Sequence, residues 1–298
     1  MTGSIPSGVW TAIITPFEND GSLDLVSYEK LLARQIEAGI DGVVVFGTTG
    51  ESPTLSVQEK LSVLKKTKAI VGNKLSIMAG SGGNNTNQTV ELSKLCEDAG
   101  ADSLLIVTPP YNKPGLNGLK AHYQSISDAV NIPLMLYHVP SRTGSFLDAD
   151  VLLDVLENPQ IQAVKEASGD INYFSKTAMK ANCKFLSGDD FTYLPSLAVG
   201  GKGVVSVVTN IFPEAFVRMT HYYFHGELEK ALKIHNCLFQ MIELLFKEPN
   251  PAPTKGVLNL MGLCKNNLRL PLTKITEANY QELKLQFEKT TTELSELV

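Results

Sequence analysis

The sequence predicts an α/β chain folded as a (β/α)8 TIM barrel that carries a C-terminal helical appendage. Three observations point there. Short apolar runs recur along the chain at a steady pitch of about 19 to 34 residues. Most of them are continuously apolar rather than alternating, the signature of strands buried on both faces. The stretches between them have helical periodicity, so strand and helix alternate as parallel βα units do. A doubly wound open sheet meets the same spacing and stays open at this point.

The predicted strands are residues 9–15, 43–46, 75–79, 103–108, 133–138, 161–165, 185–187 and 204–208. Between the second and third, Ser56 and Glu59 stand in capping-box spacing and open a helix that runs to about Val71. A second helix is expected over residues 87–98, with Gly100 as its cap. AGIDG at 38–42 and AGADS at 99–103 repeat one local pattern, a helix that stops on glycine, turns and feeds a strand. By about residue 228 the eight units are used up. The expected division is therefore a catalytic barrel over 1–228 and a helical domain over 229–298, with an amphipathic helix at 238–246 closed by PNPAP at 249–253. This appendage reads as packing or assembly material.

Composition narrows the function. The chain has 298 residues, 43% hydrophobic and 19% charged, enough to bury a large core. Its 26 basic against 31 acidic side chains leave a net charge of −5, with no basic block of the kind that neutralises phosphates, so nucleic acid is not an expected partner. A small anionic substrate remains compatible, since one arginine suffices for it. Cys96, Cys183, Cys237 and Cys264 lie 87, 54 and 27 residues apart, without metal-knuckle or redox spacing, and read as free thiols of a reducing compartment. The start, MTGSIPSGVW, has neither the basic nor the apolar region of a secretory leader, and no apolar run reaches the ~18 residues of a membrane span. A cytoplasmic protein without a membrane partner is expected.

In a barrel the strand ends face the mouth where substrate binds. The sixth strand ends on Lys165, and a lysine at the end of a buried strand loses part of its affinity for a proton. A neutral amine in a closed pocket attacks a ketone and forms a Schiff base. The competing role is a structural one, with Lys165 snorkelling out to pair with Glu166 or Asp170. At the rim of the fifth strand, Tyr137 offers a hydroxyl for proton transfer through a relay, and Arg142, on the loop just above, suits a carboxylate. A core-edge tyrosine and a solvated loop arginine are the competing roles. After the second strand, GTTGE at 47–51 makes a tight loop whose N–H groups and hydroxyls suit a small carboxylate; it is neither a P-loop nor a dinucleotide fingerprint. TPPYN at 108–112 makes a stiff loop that presents Tyr111. His221 and His225 share a helix face without a metalloprotease frame, and the adjacent Asp189 and Asp190 are not spaced to converge on one ion. No metal or organic cofactor is expected.

Taken together, GTTGE at 47–51, TPPYN at 108–112, YHVPSRTG at 137–144, VKEASGD at 164–170, SGDD at 187–190, GGKGVVSV at 200–207 and PNPAPTKGVLNLMG at 249–262 resemble the dihydrodipicolinate synthase family, within the pyruvate-dependent class I aldolases and lyases. The likeness spans nearly the whole chain, in order. It implies that Lys165 forms the Schiff base with pyruvate and that Tyr137, Thr49 and Tyr111 relay protons, Tyr111 reaching into an adjacent subunit. It further implies that Thr48 holds the pyruvate carboxylate and Arg142 that of L-aspartate 4-semialdehyde, while the backbone at Gly188 and Val205 lines the site. A homotetramer, a dimer of tight dimers, goes with it. A sialate-lyase-like or other 2-oxo acid aldolase is the alternative within the superfamily, and a noncatalytic pyruvate sensor the alternative outside it; the SRTG run at 141–144 favours the synthase. His138 stands where the family frequently has Asn and is expected to matter little. Lysine-sensitive members carry His at the positions of Val57 or Lys60, Glu at Gln88 and Tyr at Pro110, so feedback inhibition by lysine is expected to be weak or absent.

Overall fold

In a computed structural model that describes residues 4–297, eight parallel strands follow one another in chain order around a closed barrel. They are β1 (Gly8–Ala12), β2 (Gly42–Val45), β3 (Ser76–Gly80), β4 (Ser103–Val107), β5 (Leu134–His138), β6 (Ile161–Glu166), β7 (Lys184–Ser187) and β8 (Gly203–Ser206). The open-sheet alternative is thereby removed. Nearly every strand residue is buried, which is why the runs read as continuously apolar.

Two strands stop two or three residues before the end of their apolar runs, for the same physical reason. The run predicts β1 through Thr15, but after Ile13 the ladder passes to a side chain, the Ile14 N–H donating to Asn210 Oδ1 at 3.2 Å. The run predicts β8 through Val208, but Ser206 Oγ accepts from the Thr209 N–H at 3.0 Å and starts the 3-10 turn Val208–Asn210. Asn210, fully buried, also donates from Nδ2 to the carbonyls of Ala12 at 2.8 Å and Val207 at 2.9 Å.

The chain clusters into two compact units, one formed by the residues up to Ser7 with Ser76–Val205, the other by Gly8–Leu75 with the residues from Ser206 on. In the first, the helices Thr86–Asp98, Leu116–Ser127, Ala149–Val155, Ile171–Ala178 and Tyr193–Ala198 pack in succession. The helix expected at 87–98 ends in a Schellman motif: Gly100 (φ 98°) is the left-handed residue, the Gly100 N–H donates to Glu97 O and the Ala101 N–H to Cys96 O, each at 3.0 Å. In the second, the capping box is made, with Ser56 N–H to Glu59 Oε2 at 2.8 Å and Glu59 N–H to Ser56 Oγ at 3.2 Å. The helix expected at 238–246 runs over Leu228–Phe246, because Ala231, Ile234, Leu238, Met241, Ile242 and Leu245 form one buried stripe from its first turn.

The repeated turn has a purpose in each unit. Asp41 Oδ2 accepts from the Val9 N–H at 2.7 Å and Asp102 Oδ2 from the Ile77 N–H at 2.8 Å, so each aspartate ties the strand it precedes to the start of the previous one. A Cβ on Gly8 would lie 2.0 Å from that Asp41 oxygen, which reserves the position for glycine.

Replacing Asn210 by Leu removes two bonds to carbonyls and orphans the Ile14 N–H in a buried site. A loss of about 3 kcal/mol or more is expected, read as a lower urea midpoint.

Candidate active site

The pairing of β5 with β6 decides which side chains meet. Leu134 pairs with Ile161, but Met135 pairs with Ala163, so Gln162 is an extra residue and the register moves by one. From there on Tyr137 lies opposite Lys165, and His138 opposite Glu166. Without the bulge, Gln162 would pair with Met135, Tyr137 would meet Val164, and the lysine would point to the other face. With it, the Lys165 amine stands 4.3 Å from the centre of the Tyr137 ring.

Lys165 is 6% exposed. Burial pulls its pKa from 10.5 down to about 8; the Asp190 carboxylate resists that fall and the Arg142 guanidinium adds to it. The carboxylates that a structural lysine would take are engaged elsewhere. Glu166 Oε1 accepts from His138 Nδ1 at 3.2 Å and from the Ser168 N–H at 2.8 Å, while Asp170 Oδ1 caps the helix Ile171–Ala178. Gly188 makes room for the amine's stem, since a Cβ there would sit 2.9 Å from Lys165 Cγ and Cε and 2.8 Å from Ala167 Cβ. Val205 is buried on β8, and Asp190 is buried just beyond β7.

Arg142 is exposed, on the short helix Pro140–Thr143, which Gly144 closes in left-handed backbone (φ 69°). His138 contributes more than expected. Its Nε2 accepts from the Leu147 N–H at 3.2 Å, so the ring carries its proton on Nδ1 and donates it to Glu166. One fully buried imidazole thus holds the strap that follows Arg142 to the strand that carries Lys165. Tyr111 is not drawn in toward Lys165. It is 90% exposed, held outward in left-handed backbone (φ 72°), and its N–H donates to Thr143 O at 3.3 Å.

In the other unit the 47–51 loop is built with similar rigidity. Phe46 and Glu51, at its two ends, both take left-handed backbone (φ 59° and 54°), a conformation that only a firmly held loop sustains. Glu51 accepts from Lys255 Nζ and, at 3.0 Å, from the Arg269 N–H; Lys255 also donates to Asn267 O at 2.9 Å and lies 4.2 Å over the Phe17 ring. Both members of the pair are buried, and burial lowers the Lys255 pKa while Glu51 opposes that shift. Thr48 is half-exposed. Thr49 is buried, and its Oγ1 accepts from Asn250 Nδ2 at 2.9 Å.

Sequence reasoning misses Asn250, Asp190, the Glu51–Lys255 pair and the His138 hook. The SGDD run is visible in the sequence, but its adjacent acids suggest only a metal site to weigh. Among the described residues no group of three or more His, Cys, Asp and Glu could hold a metal ion, and no helix is long and apolar enough to cross a membrane.

The family model described as the dihydrodipicolinate synthetase family matches residues 5–290. The 4-hydroxy-tetrahydrodipicolinate synthase of Methanococcus aeolicus is 42% identical over 273 residues, 91% of this chain and 94% of that protein. The structure of the 4-hydroxy-tetrahydrodipicolinate synthase from Methylacidiphilum fumariolicum superposes with a TM-score of 0.95 at 38% identity and covers 98% of each chain. A monomeric dihydrodipicolinate synthase variant superposes with a TM-score of 0.93 at 38% identity, covering 96% of this chain and 97% of that one.

Gly188→Ala must push the Lys165 side chain aside. A displacement near 1 Å should slow reductive labelling of Lys165 by a small carbonyl compound by about a hundredfold, with circular dichroism unchanged.

Proposed function

This chain belongs to the dihydrodipicolinate synthetase family, and on that premise we propose that it condenses pyruvate with L-aspartate 4-semialdehyde through a Schiff base on Lys165. It is a lyase of that family. The observation that carries the reading is the buried Lys165 amine, with its pKa near 8 and the Tyr137 ring beside it. At pH 7 such an amine is neutral in about a tenth of molecules, against about one in three thousand for a pKa of 10.5.

The amine attacks C2 of pyruvate, water leaves, and the resulting iminium draws electrons from the methyl group. A methyl proton departs, and the enamine carbon attacks the aldehyde. The amino group of the second substrate then attacks C2, closes the ring and returns Lys165 as an amine. Tyr137 moves protons in these steps, and its ring face stabilises the positive iminium. Arg142, exposed on its short helix, receives the carboxylate of the semialdehyde. The backbone at Gly188 and Val205 lines the site.

Within the 47–51 loop, the Asn250 bond favours a division of labour opposite to the one the resemblance implies. A hydroxyl that accepts from an amide has its proton turned away from that amide. That suits a carboxylate, which only accepts, better than a relay, which must accept and donate in turn. We therefore assign the pyruvate carboxylate to Thr49 and the relay hydroxyl to the half-exposed Thr48, in series with Tyr137 and Tyr111. Tyr111, outward and exposed, serves the site of a second copy in a homotetramer of two dimers. In the same reading residues 1–228 form the catalytic barrel and 229–298 the helical domain, and the enzyme works in the cytoplasm.

The test is to mix the protein with pyruvate, reduce with borohydride and map the adduct. It is expected on Lys165 and to be absent in Lys165→Ala; an adduct elsewhere overturns the mechanism. Because the neutral amine reacts, the rate of adduct formation should rise with pH and level off above about 8. Arg142→Ala removes a cation and moves that midpoint up, and Asp190→Asn removes an anion and moves it down. Arg142→Ala keeps the adduct but loses use of the semialdehyde. Coupling with N-acetylmannosamine instead would make the enzyme a sialate-lyase-like aldolase.

Val57, Lys60, Gln88 and Pro110 offer neither the acid nor the aromatic wall that would hold a lysine effector's ammonium. Submillimolar lysine is expected to leave the rate unchanged in a coupled assay.

A further inference from the structure

We propose that Asn250 is a positioning residue that fixes the direction of the Thr49 hydroxyl and thereby sets the affinity for the carboxylate of the 2-oxo acid. The inference rests on the reading of Thr49 given above and deepens it. Asn250 lies in the turn before the helix Ala252–Leu260, almost wholly buried, 201 residues along the chain from the threonine it touches. Its amide is held at both ends. Nδ2 donates to Thr49 Oγ1 at 2.9 Å, and Oδ1 accepts from the hydroxyl of Thr254, itself buried, at 3.4 Å.

The consequence for Thr49 is directional. With an amide donor on one lone pair, the hydroxyl turns its own proton to a different acceptor. An anionic oxygen is the acceptor that gains most, because a hydrogen bond to a charged group is worth more than one to a neutral group. The same short segment supplies Lys255, whose bond to Glu51 holds the far end of the loop. Residues 250–255 thus fix both the backbone of the loop and the proton of its buried hydroxyl.

Asn250→Asp is the informative substitution, since it replaces the donor by an acceptor in the same space. Thr49 would then donate to the introduced carboxylate instead of outward, beside an added negative charge. The expected result is a pyruvate KM raised about tenfold or more in Asn250→Asp and by less in Asn250→Ala, with kcat at saturating pyruvate and the KM for the semialdehyde little changed. The decisive arm is a double-mutant cycle with Thr49→Val. If Asn250 acts through the hydroxyl, Asn250→Ala has no further effect on pyruvate KM once Val stands at 49. A role in folding alone would lower the melting temperature and give additive effects on KM, and would overturn the proposal. Unchanged pyruvate KM in both Asn250 variants would also overturn it. Borohydride trapping of the wild-type protein separates the two levels. An adduct on Lys165 with unaltered KM values sinks only the role of Asn250, whereas no adduct sinks the reading beneath it.

Discussion

A buried amine is the constraint on which the rest of the structure depends. The Lys165 pKa falls to about 8 because the protein makes the charged form expensive, chiefly by burial. Too much opposing charge would reverse the effect, and too little would leave the folded chain to carry the whole cost. The surroundings strike that balance: Asp190 holds part of the charge, Arg142 offsets it, and Glu166, the neighbour best placed to neutralise the amine, is turned to the helix side and bonded to His138. Even the absent side chain of Gly188 belongs to the same arrangement, because it leaves the lysine stem its space.

The second buried lysine shows how differently the same residue type behaves with a partner. Lys255 is buried more completely than Lys165, yet it meets a carboxylate, a carbonyl and an aromatic face. A buried pair with every donor and acceptor engaged adds little net stability over an apolar replacement, but it fixes geometry closely. Here it secures a loop whose ends both stand in left-handed backbone. One lysine stands beside a tyrosine ring with its hold on a proton weakened by burial, and the other is satisfied and serves as a clamp.

Much of this is legible in the sequence because it lies on local patterns. Continuous apolar runs mark the strands, Ser56 and Glu59 mark a helix start, and the place of Lys165 at a strand end marks a buried amine. The misses share a cause, which is that side chains do work that backbone patterns do not reveal. Asn210 ends β1 by taking over its ladder, and Ser206 ends β8 by opening a turn. Asn250 cannot be seen because nothing local connects it to Thr49. Asp190 is visible but easily misjudged, since adjacent acids suggest metal ligands and not a charge beside an amine. His138 looks incidental next to Tyr137, although it faces the helices and ties two segments together.

The bulge at Gln162 carries one further consequence. Odd and even places along β6 look to opposite sides, so whether the amine faces the barrel interior or the helices is a matter of counting from that one surplus residue. A relative that kept this residue but paired it in the ladder, with no bulge, would keep the VKEASGD run letter for letter, and any search by motif would score it as intact. Its lysine would nevertheless look outward. In this architecture an unbroken signature says nothing by itself of facing, which is written upstream in the way a single residue is paired.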